Sequence, residues 1–461
     1  MLVVAALLAI TAACTRTAPT SSERPNVLLI SIDSLRADHV SAYGYRRETT
    51  PTIDRLARDG VTFAHAVSTT SWTLPAHAAL LTGRHDAEHG ATLPQSSLDP
   101  SIPTLAEALG AAGYRTVGLY SGPFLDPTFG LARGFEEYVA CTSDSALIDE
   151  RHKRSRARAH AASHKDVTNP LVAAAFTRAV AGRDARPTFF FVHLWDVHYD
   201  LLPPPPYDRM FDPDYDGNFP GYAYRHTPGF KPGVTKADYE HVLALYDGEI
   251  RFTDDTIAGM LADLERAGLL ANTVVVVTSD HGDEFLEHGG KGHRRTLFQE
   301  VLAVPLVFWA PGRLAASVAN TSASLVDVAP TILGITSASG LEGITGRSLI
   351  DSAGAPLVDD RVAIAELRFN ASRPALTAAF AHPHKVVVDV RRRTAEYYDL
   401  EADPGEKSPG DPQALEAGRR LVEALGRFYE APARSRRKPT APEKKLTPAM
   451  EKRLRALGYL D

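Results

Sequence analysis

The sequence predicts an α/β protein: a doubly wound, mostly parallel central sheet with helices on both faces, plus a smaller C-terminal subdomain with a short antiparallel sheet. Three observations carry this. Five segments are near-continuous apolar, β-branched runs, as expected of strands buried on both faces. Stretches of helical period lie between them, the alternation of a parallel sheet wrapped by helices. The 461 residues suffice for one large domain of this kind and a small one.

The elements follow in order. "MLVVAALLAITAAC" is a short apolar run ending in small residues before Cys14, and polar "TRTAPTSSER" comes next. It is too short to span a bilayer and reads as an export signal. Ala12-Ala13-Cys14 resembles a bacterial lipoprotein cleavage site, although no Lys or Arg precedes the apolar run. The expectation is an exported protein on the periplasmic or cell-surface side, held to the membrane by a lipid on Cys14. Cys141 then has no partner, and no disulfide forms. The strands are "NVLLISI", "RTVGLY", "TFFFVHL", "TVVVVTS" and "PLVFW". The segment "TTPTIDRLARDG" offers Thr50 as N-cap, Pro51 at the first helical position and Gly60 beyond the end; "IPTLAEALGAAG" repeats the design. From Ala237 to Gly268 the period is helical, interrupted by Gly248 and Gly259. "RVAIAEL", "KVVVDV" and "AEYYDL" supply the small C-terminal sheet, and "TPAMEKRLRALGYL" a terminal helix. The basic run 151–165 reads as a solvated insertion, and the Pro-, Tyr- and Asp-rich stretch after Leu201 as a substrate rim. There are no internal repeats. The organisation expected is a signal (1–14), a linker (15–24), a catalytic domain (25–340), a C-terminal subdomain (341–432), and a basic linker with the terminal helix (433–461).

Composition narrows the function. With 44% hydrophobic and 23% charged residues and a net charge of −6, the chain lacks the basic surface of a nucleic-acid partner. Ligands of doubly wound sheets collect beyond the carboxyl ends of strands. Here one strand runs into Asp33-Ser34 and another into Asp280-His281, while a third carries His193 and leads to Asp196 and His198. An Asp after a strand is often only a helix cap. Two such ends, one reading Ser-Asp-His-Gly-Asp-Glu, favour a metal site.

These segments resemble, in order, those of the sulfatases of the alkaline-phosphatase superfamily. "NVLLISIDSLRADHVSAYGY" is similar to the first metal segment, "LPAHAALLTGRHDAEHG" to the nucleophile segment, and "SDHGDEFLEHGG" to the second metal segment. "LVDVAPTILGI", "GRSL" and "YYDLEADPGEK" match the closing segments in kind. The resemblance implies one divalent cation held by Asp33, Asp280 and His281, with Ser34 at the position of a further family Asp and Thr73 touching the ion as nucleophile. It implies Ca²⁺; with an imidazole gained and a carboxylate lost, Mn²⁺, Zn²⁺ or Mg²⁺ also enters. His198 is expected to protonate the leaving group, with His77, where the family has Arg, a further catalytic residue. His193, Lys291, His293 and Arg294 are the expected substrate contacts, while His85 and His89 read as loop-stabilising.

The departures from the family pattern are chemical. "TLPAH" has Thr where the formylglycine-forming Cys or Ser stands, so that maturation is not expected. Hydrated formylglycine has two hydroxyls, one to take the sulfate and one to expel it. Thr73 has one, so water or an acceptor must release the transferred group. Thr73 before Pro75 is also a good helix N-cap. The implied function is a metal-dependent hydrolase of sulfate esters or related anionic esters of a sugar, lipid or aryl compound. A phosphodiesterase, phosphonate hydrolase or phosphotransferase is the alternative, and a non-catalytic binding lipoprotein a further one.

Overall fold

The computed structural model describes residues 24–142, 167–430 and 446–456, apart from 199, 220, 222–223, 225–228 and 371–373. The expected signal peptide with Cys14, the basic run 151–165 and the linker 433–445 lie outside the described residues.

In chain order the strands of the large sheet are β1 (Asn26–Ile32), β2 (Val61–Val67), β3 (Arg115–Tyr120), β4 (Glu137–Ala140), β5 (Thr188–Leu194) and β6 (Thr273–Ser279). A two-residue hairpin follows, β7 (Glu284–Phe285) and β8 (Lys291–Gly292), then β9 (Leu306–Trp309) and β10 (Ser317–Ser324). The eight strands lie in the order β10-β2-β9-β6-β1-β5-β3-β4. All pairs are parallel except those of β9, which runs against both β2 and β6. The small sheet is an antiparallel meander of β11 (Ala363–Leu367), β12 (Leu376–Ala381), β13 (His384–Asp389) and β14 (Thr394–Asp399).

The principal helices are α1 (Pro51–Asp59), α2 (Thr73–Thr82), α3 (Asp86–His89), α4 (Leu105–Ala111), α5 (Asn169–Ala181), α6 (Lys236–Arg266), α7 (Val328–Thr336), α8 (Glu416–Glu430) and α9 (Pro448–Ala456). Helix α4 opens with a capping box between Thr104 and Glu107. α6 runs unbroken through Gly248 and Gly259. A Cβ on Gly248 would lie 2.5 Å from the Tyr207 carbonyl and 3.0 Å from Pro203 Cγ. That glycine admits the Pro-rich loop against the helix; it does not end it.

Strand alternation builds two cores. Val27 and Leu29 of β1, with Phe189 and Phe191 of β5, pack with Leu74, Ala78 and Leu81 of α2. Leu28, Ile30 and Ile32, with Phe190 and Val192, pack with Ile250, Ile257 and Leu261 of α6. The period of two therefore decides which polar residues near the strand ends face α2. The meander buries Ile364, Ala379, Val386 and Tyr397 against Leu421, Leu425 and Phe428 of α8. It is tied to the segment between β2 and α2 by the Glu366 amide donating to the Thr69 carbonyl at 2.8 Å.

Candidate metal and catalytic site

β1 and β6 are neighbours, and both end at the same edge of the sheet. Asp33 and Asp280 follow them directly and are fully buried. Ser34 joins the two carboxylates: its hydroxyl donates to Asp33 Oδ1 at 2.9 Å and its amide to Asp280 Oδ1 at 3.1 Å. This takes a left-handed φ of 59° at Ser34, uncommon for a residue with a side chain. Tyr246 of α6 holds the bend, donating to the Ser34 carbonyl at 2.7 Å and accepting from the Arg36 amide at 3.0 Å.

His281 completes the cluster. Its Nδ1 lies 2.9 Å from the Gly282 carbonyl, an atom that only accepts, so in the neutral ring the proton is on Nδ1 and Nε2 holds a lone pair. That Nε2 is 3.4 Å from Asp280 Oδ2 and 3.8 Å from Asp33 Oδ1. Thr73 Oγ1 is 3.5 Å from Asp33 Oδ2 and 3.4 Å from the same Nε2. Asp280 Oδ2 is buried with no hydrogen-bond partner. An orphaned carboxylate oxygen, a second carboxylate, an imidazole lone pair and a hydroxyl converge here, and that donor set fits a divalent cation. Burial pushes the Asp33 carboxyl up to about 6, against the pull of His281. Burial and the Asp33 charge raise Asp280 as well. Burial lowers His281, but the two carboxylates outweigh it and the net direction is up.

Thr73 is the first residue of α2, and Trp72 is the N-cap. The Thr73 side chain turns to Asp33 and His281 and does not cap the helix, so the cap expected there sits one residue earlier.

The β7–β8 hairpin folds 291–294 back over Asp280-His281. His293 is buried with Nδ1 2.6 Å from Asp283 Oδ1, and Tyr224 donates to the other oxygen of Asp283 at 2.8 Å. The His293 ring centroid is 4.4 Å from that of His281 and 5.2 Å from that of His198. His198 stacks on Trp195. Lys291 Nζ donates to the Tyr224 carbonyl at 3.2 Å. The Arg294 guanidinium lies 4.5 Å over the ring of Trp72, the residue before Thr73. Three residues beyond His198, Leu201 enters the wall of a cavity of about 440 Å³, which Asp208, Asp212, Tyr215 and His241 also line.

Two expected site residues lie beneath the cluster. His77 and His193 are wholly buried, and burial pushes both imidazoles down to about 4. His77 bonds Ser31 and the Thr73 carbonyl; His193 Nε2 is 3.4 Å from Asp33 Oδ2. His89 serves its loop, accepting from the Ala91 amide at 3.1 Å. The sequence reading missed Asp283, Tyr224, Tyr246 and Gly122, whose amide meets His193. Only Asp283 had a visible clue, three residues after Asp280 in Ser-Asp-His-Gly-Asp-Glu.

The sulfatase family profile matches residues 25–338. An N-acetylglucosamine-6-O-sulfatase of Bacteroides thetaiotaomicron is 24% identical, covering 76% of this chain and 75% of that protein. The multifunctional alkaline phosphatase superfamily protein PehA of Trinickia caryophylli is 26% identical, covering 71% and 76%. Among solved structures, the phosphonate monoester hydrolase of Agrobacterium radiobacter superposes with a TM-score of 0.70 at 23% identity, covering 88% of this chain and 95% of that one, a likeness of fold. The chain belongs to the sulfatase family, divalent-metal-dependent hydrolases of the alkaline phosphatase superfamily.

Proposed function

We propose that this protein is a metal-dependent hydrolase of sulfate esters or closely related anionic esters, with Thr73 as its nucleophile. The observation that carries the reading is Thr73 Oγ1 at 3.4 and 3.5 Å from His281 Nε2 and Asp33 Oδ2, at the N-terminus of a helix whose amides favour an anion. Asp33, Asp280, His281 and Thr73 would hold the cation, which supplies a lowered hydroxyl pKa and charge stabilisation on the non-bridging oxygens. An imidazole beside two carboxylates favours Mn²⁺ or Zn²⁺ over the Ca²⁺ of the family resemblance.

The chain's own residues divide the remaining work. Thr73 Oγ, its proton lost to solvent, forms a bond to sulfur or phosphorus as the bond to the leaving oxygen breaks. His198 gives that oxygen its proton. Arg294 and Lys291 supply positive charge for the anionic group. Asp283 accepts the Nδ1 proton of His293, which fixes the tautomer and leaves Nε2 as the acceptor. His293 then takes a proton from the water that attacks the Thr73 ester, and Thr73 leaves as the alkoxide.

A second reading, a phosphoester or phosphonate hydrolase, draws on the single hydroxyl of Thr73 and on the likeness to phosphonate monoester hydrolases. Turnover of p-nitrophenyl sulfate, phosphate and phenylphosphonate side by side, with and without Mn²⁺ and Zn²⁺, tests both. Sulfate turnover highest supports the first, and phosphorus esters faster support the second. No turnover of any ester, with the metal bound, favours a binding protein. An exported, lipid-anchored protein is proposed from Ala12-Ala13-Cys14; Cys14→Ser should then release it from the membrane fraction.

A further inference from the structure

Strand register sets a row of side chains beneath α2. Ser31 of β1 pairs with His193 of β5 and with Thr278 of β6. The alternation that puts Leu29 and Phe191 on the α2 side puts Ser31 and His193 there too. From above comes His77, one helical turn after Thr73 and on the same face. The rings of His77 and His193 meet edge to face, with centroids 5.0 Å apart at 79°.

Each ring's tautomer follows from its neighbours. The Gly122 amide donates to His193 Nδ1 at 3.4 Å, and an amide N–H has only a proton to offer. The proton of the neutral His193 is therefore on Nε2, a buried nitrogen with no hydrogen bond of normal geometry, 3.4 Å from Asp33 Oδ2. His77 Nδ1 is 2.8 Å from the Thr73 carbonyl, which only accepts, so its proton is on Nδ1. The same Nδ1 lies 3.7 Å from Asp280 Oδ2, and the Nε2 lone pair faces the Ser31 hydroxyl at 2.9 Å.

We propose that His193 and His77 are positioning residues, with His193 turning an N–H under Asp33 and His77 clamping Thr73 to β1, so that the site takes one cation. The proposal rests on Asp33, Asp280, His281 and Thr73 being the cation site, and it replaces the substrate-binding and catalytic roles expected of these histidines from the sequence. His77, His193 and Asp280 present ligand atoms within 4.8 Å of one another, the spacing of a second cation site. A nitrogen that carries the proton has no lone pair for a metal, and the free pair of His77 is already met by Ser31. The layer is a hydrogen-bonding floor.

The test uses side chains that copy one ring nitrogen at a time. The end of Gln reaches the place of Nε2, and that of Asn the place of Nδ1. Metal-free protein is titrated calorimetrically with Mn²⁺ and Zn²⁺, with metal content measured on the loaded samples. The parent should bind one ion per chain. His193→Gln should stay within a few-fold of the parent affinity, and His193→Asn should weaken it 10- to 100-fold with the stoichiometry unchanged. At position 77 the order should reverse, His77→Asn keeping more turnover than His77→Gln, because there the Nδ1 proton matters. A generic packing role would not invert the order between the two sites. Circular dichroism establishes folding, and if the position 77 variants fail to fold, the position 193 pair decides alone. Two ions in the parent, with one lost in either His193 variant, would overturn the proposal, as would equal affinities for His193→Gln and His193→Asn. A parent that binds no divalent ion sinks the cation site itself, a failure visible before any variant is made.

Discussion

Gly122→Ala tests whether the placement of His193 is set by contact. Gly122 has a φ of −82°, which alanine adopts without strain, so the substitution acts through packing alone. The added Cβ would lie 2.8 Å from His193 Cε1 and 3.6 Å from both His193 Nδ1 and Trp195 Cδ1. Carbon atoms rest at roughly 3.5–4.0 Å, so the imidazole must retreat by about 1 Å. Overpacking of this kind costs about 1–3 kcal/mol. For a chain of this length that is a fall in Tm of roughly 1–3 °C. The retreat also moves Nε2 relative to Asp33 Oδ2, and loss of such an outer contact weakens cation binding about tenfold, near 1.4 kcal/mol. Calorimetric melts in chelator and in excess Mn²⁺ read both effects. The Tm in chelator reports packing, and the gap between the two melts should narrow by the affinity loss. Gly259→Ala is the control, since its Cβ would meet nothing within 4 Å on a helical backbone; it should raise Tm slightly and leave the gap alone. If Gly122→Ala melts and binds like the parent, the ring has room to spare and contact does not fix it.

Thr73→Ala should abolish ester turnover while the protein still binds its cation, and Thr73→Ser should keep part of the activity. Intact-mass analysis should show unmodified threonine at position 73, and a covalent adduct there should be trappable at low pH. His198→Ala should slow esters with poor leaving groups far more than p-nitrophenyl esters; equal losses would assign His198 to binding. His288 and Glu300 give a pH signature. Burial lowers His288, but Glu300 at 2.7 Å outweighs it and the net direction is up; burial raises Glu300, but His288 outweighs it and the net direction is down. The stability from this pair is full between the ordinary glutamate and histidine values. It fades as pH falls through the lowered Glu300 value or rises through the raised His288 value. Thermal melts from pH 3 to 9 should show that window, and His288→Gln should remove the fall on the alkaline side.

The central strands were legible because both faces are covered, which leaves runs such as "TVVVVTS" with four consecutive valines and no alternation of polar and apolar residues. β10 and β12 were not. β10 lies at the sheet edge with a register shift between Ala319 and Ser322, so its small polar residues show no apolar run. β12 is Leu-Thr-Ala-Ala-Phe-Ala, with alanines that favour helix until the meander claims them. β9 read correctly as a strand, yet its reversed direction depends on its neighbours and leaves no local trace. In the site, Asp33 and Asp280 stood out because a charge directly after a buried strand is conspicuous. The tautomer of His193 depends on a glycine amide brought in by another segment, which no spacing encodes, whereas those of His77 and His281 rest on carbonyls of their own segments, Thr73 and Gly282.

The two central carboxylates are joined through the Ser34 amide across a separation of 246 residues. On the proposed cation site, no fragment ending before β6 carries all the ligands, and the last of them arrives only after more than half the chain has been made. The ion cannot guide early folding; it is captured by an almost finished molecule. Which metal the protein carries then depends on what surrounds the chain once β6 has docked beside β1. The same sequence refolded in manganese or in zinc should keep whichever it met first for as long as dissociation is slow.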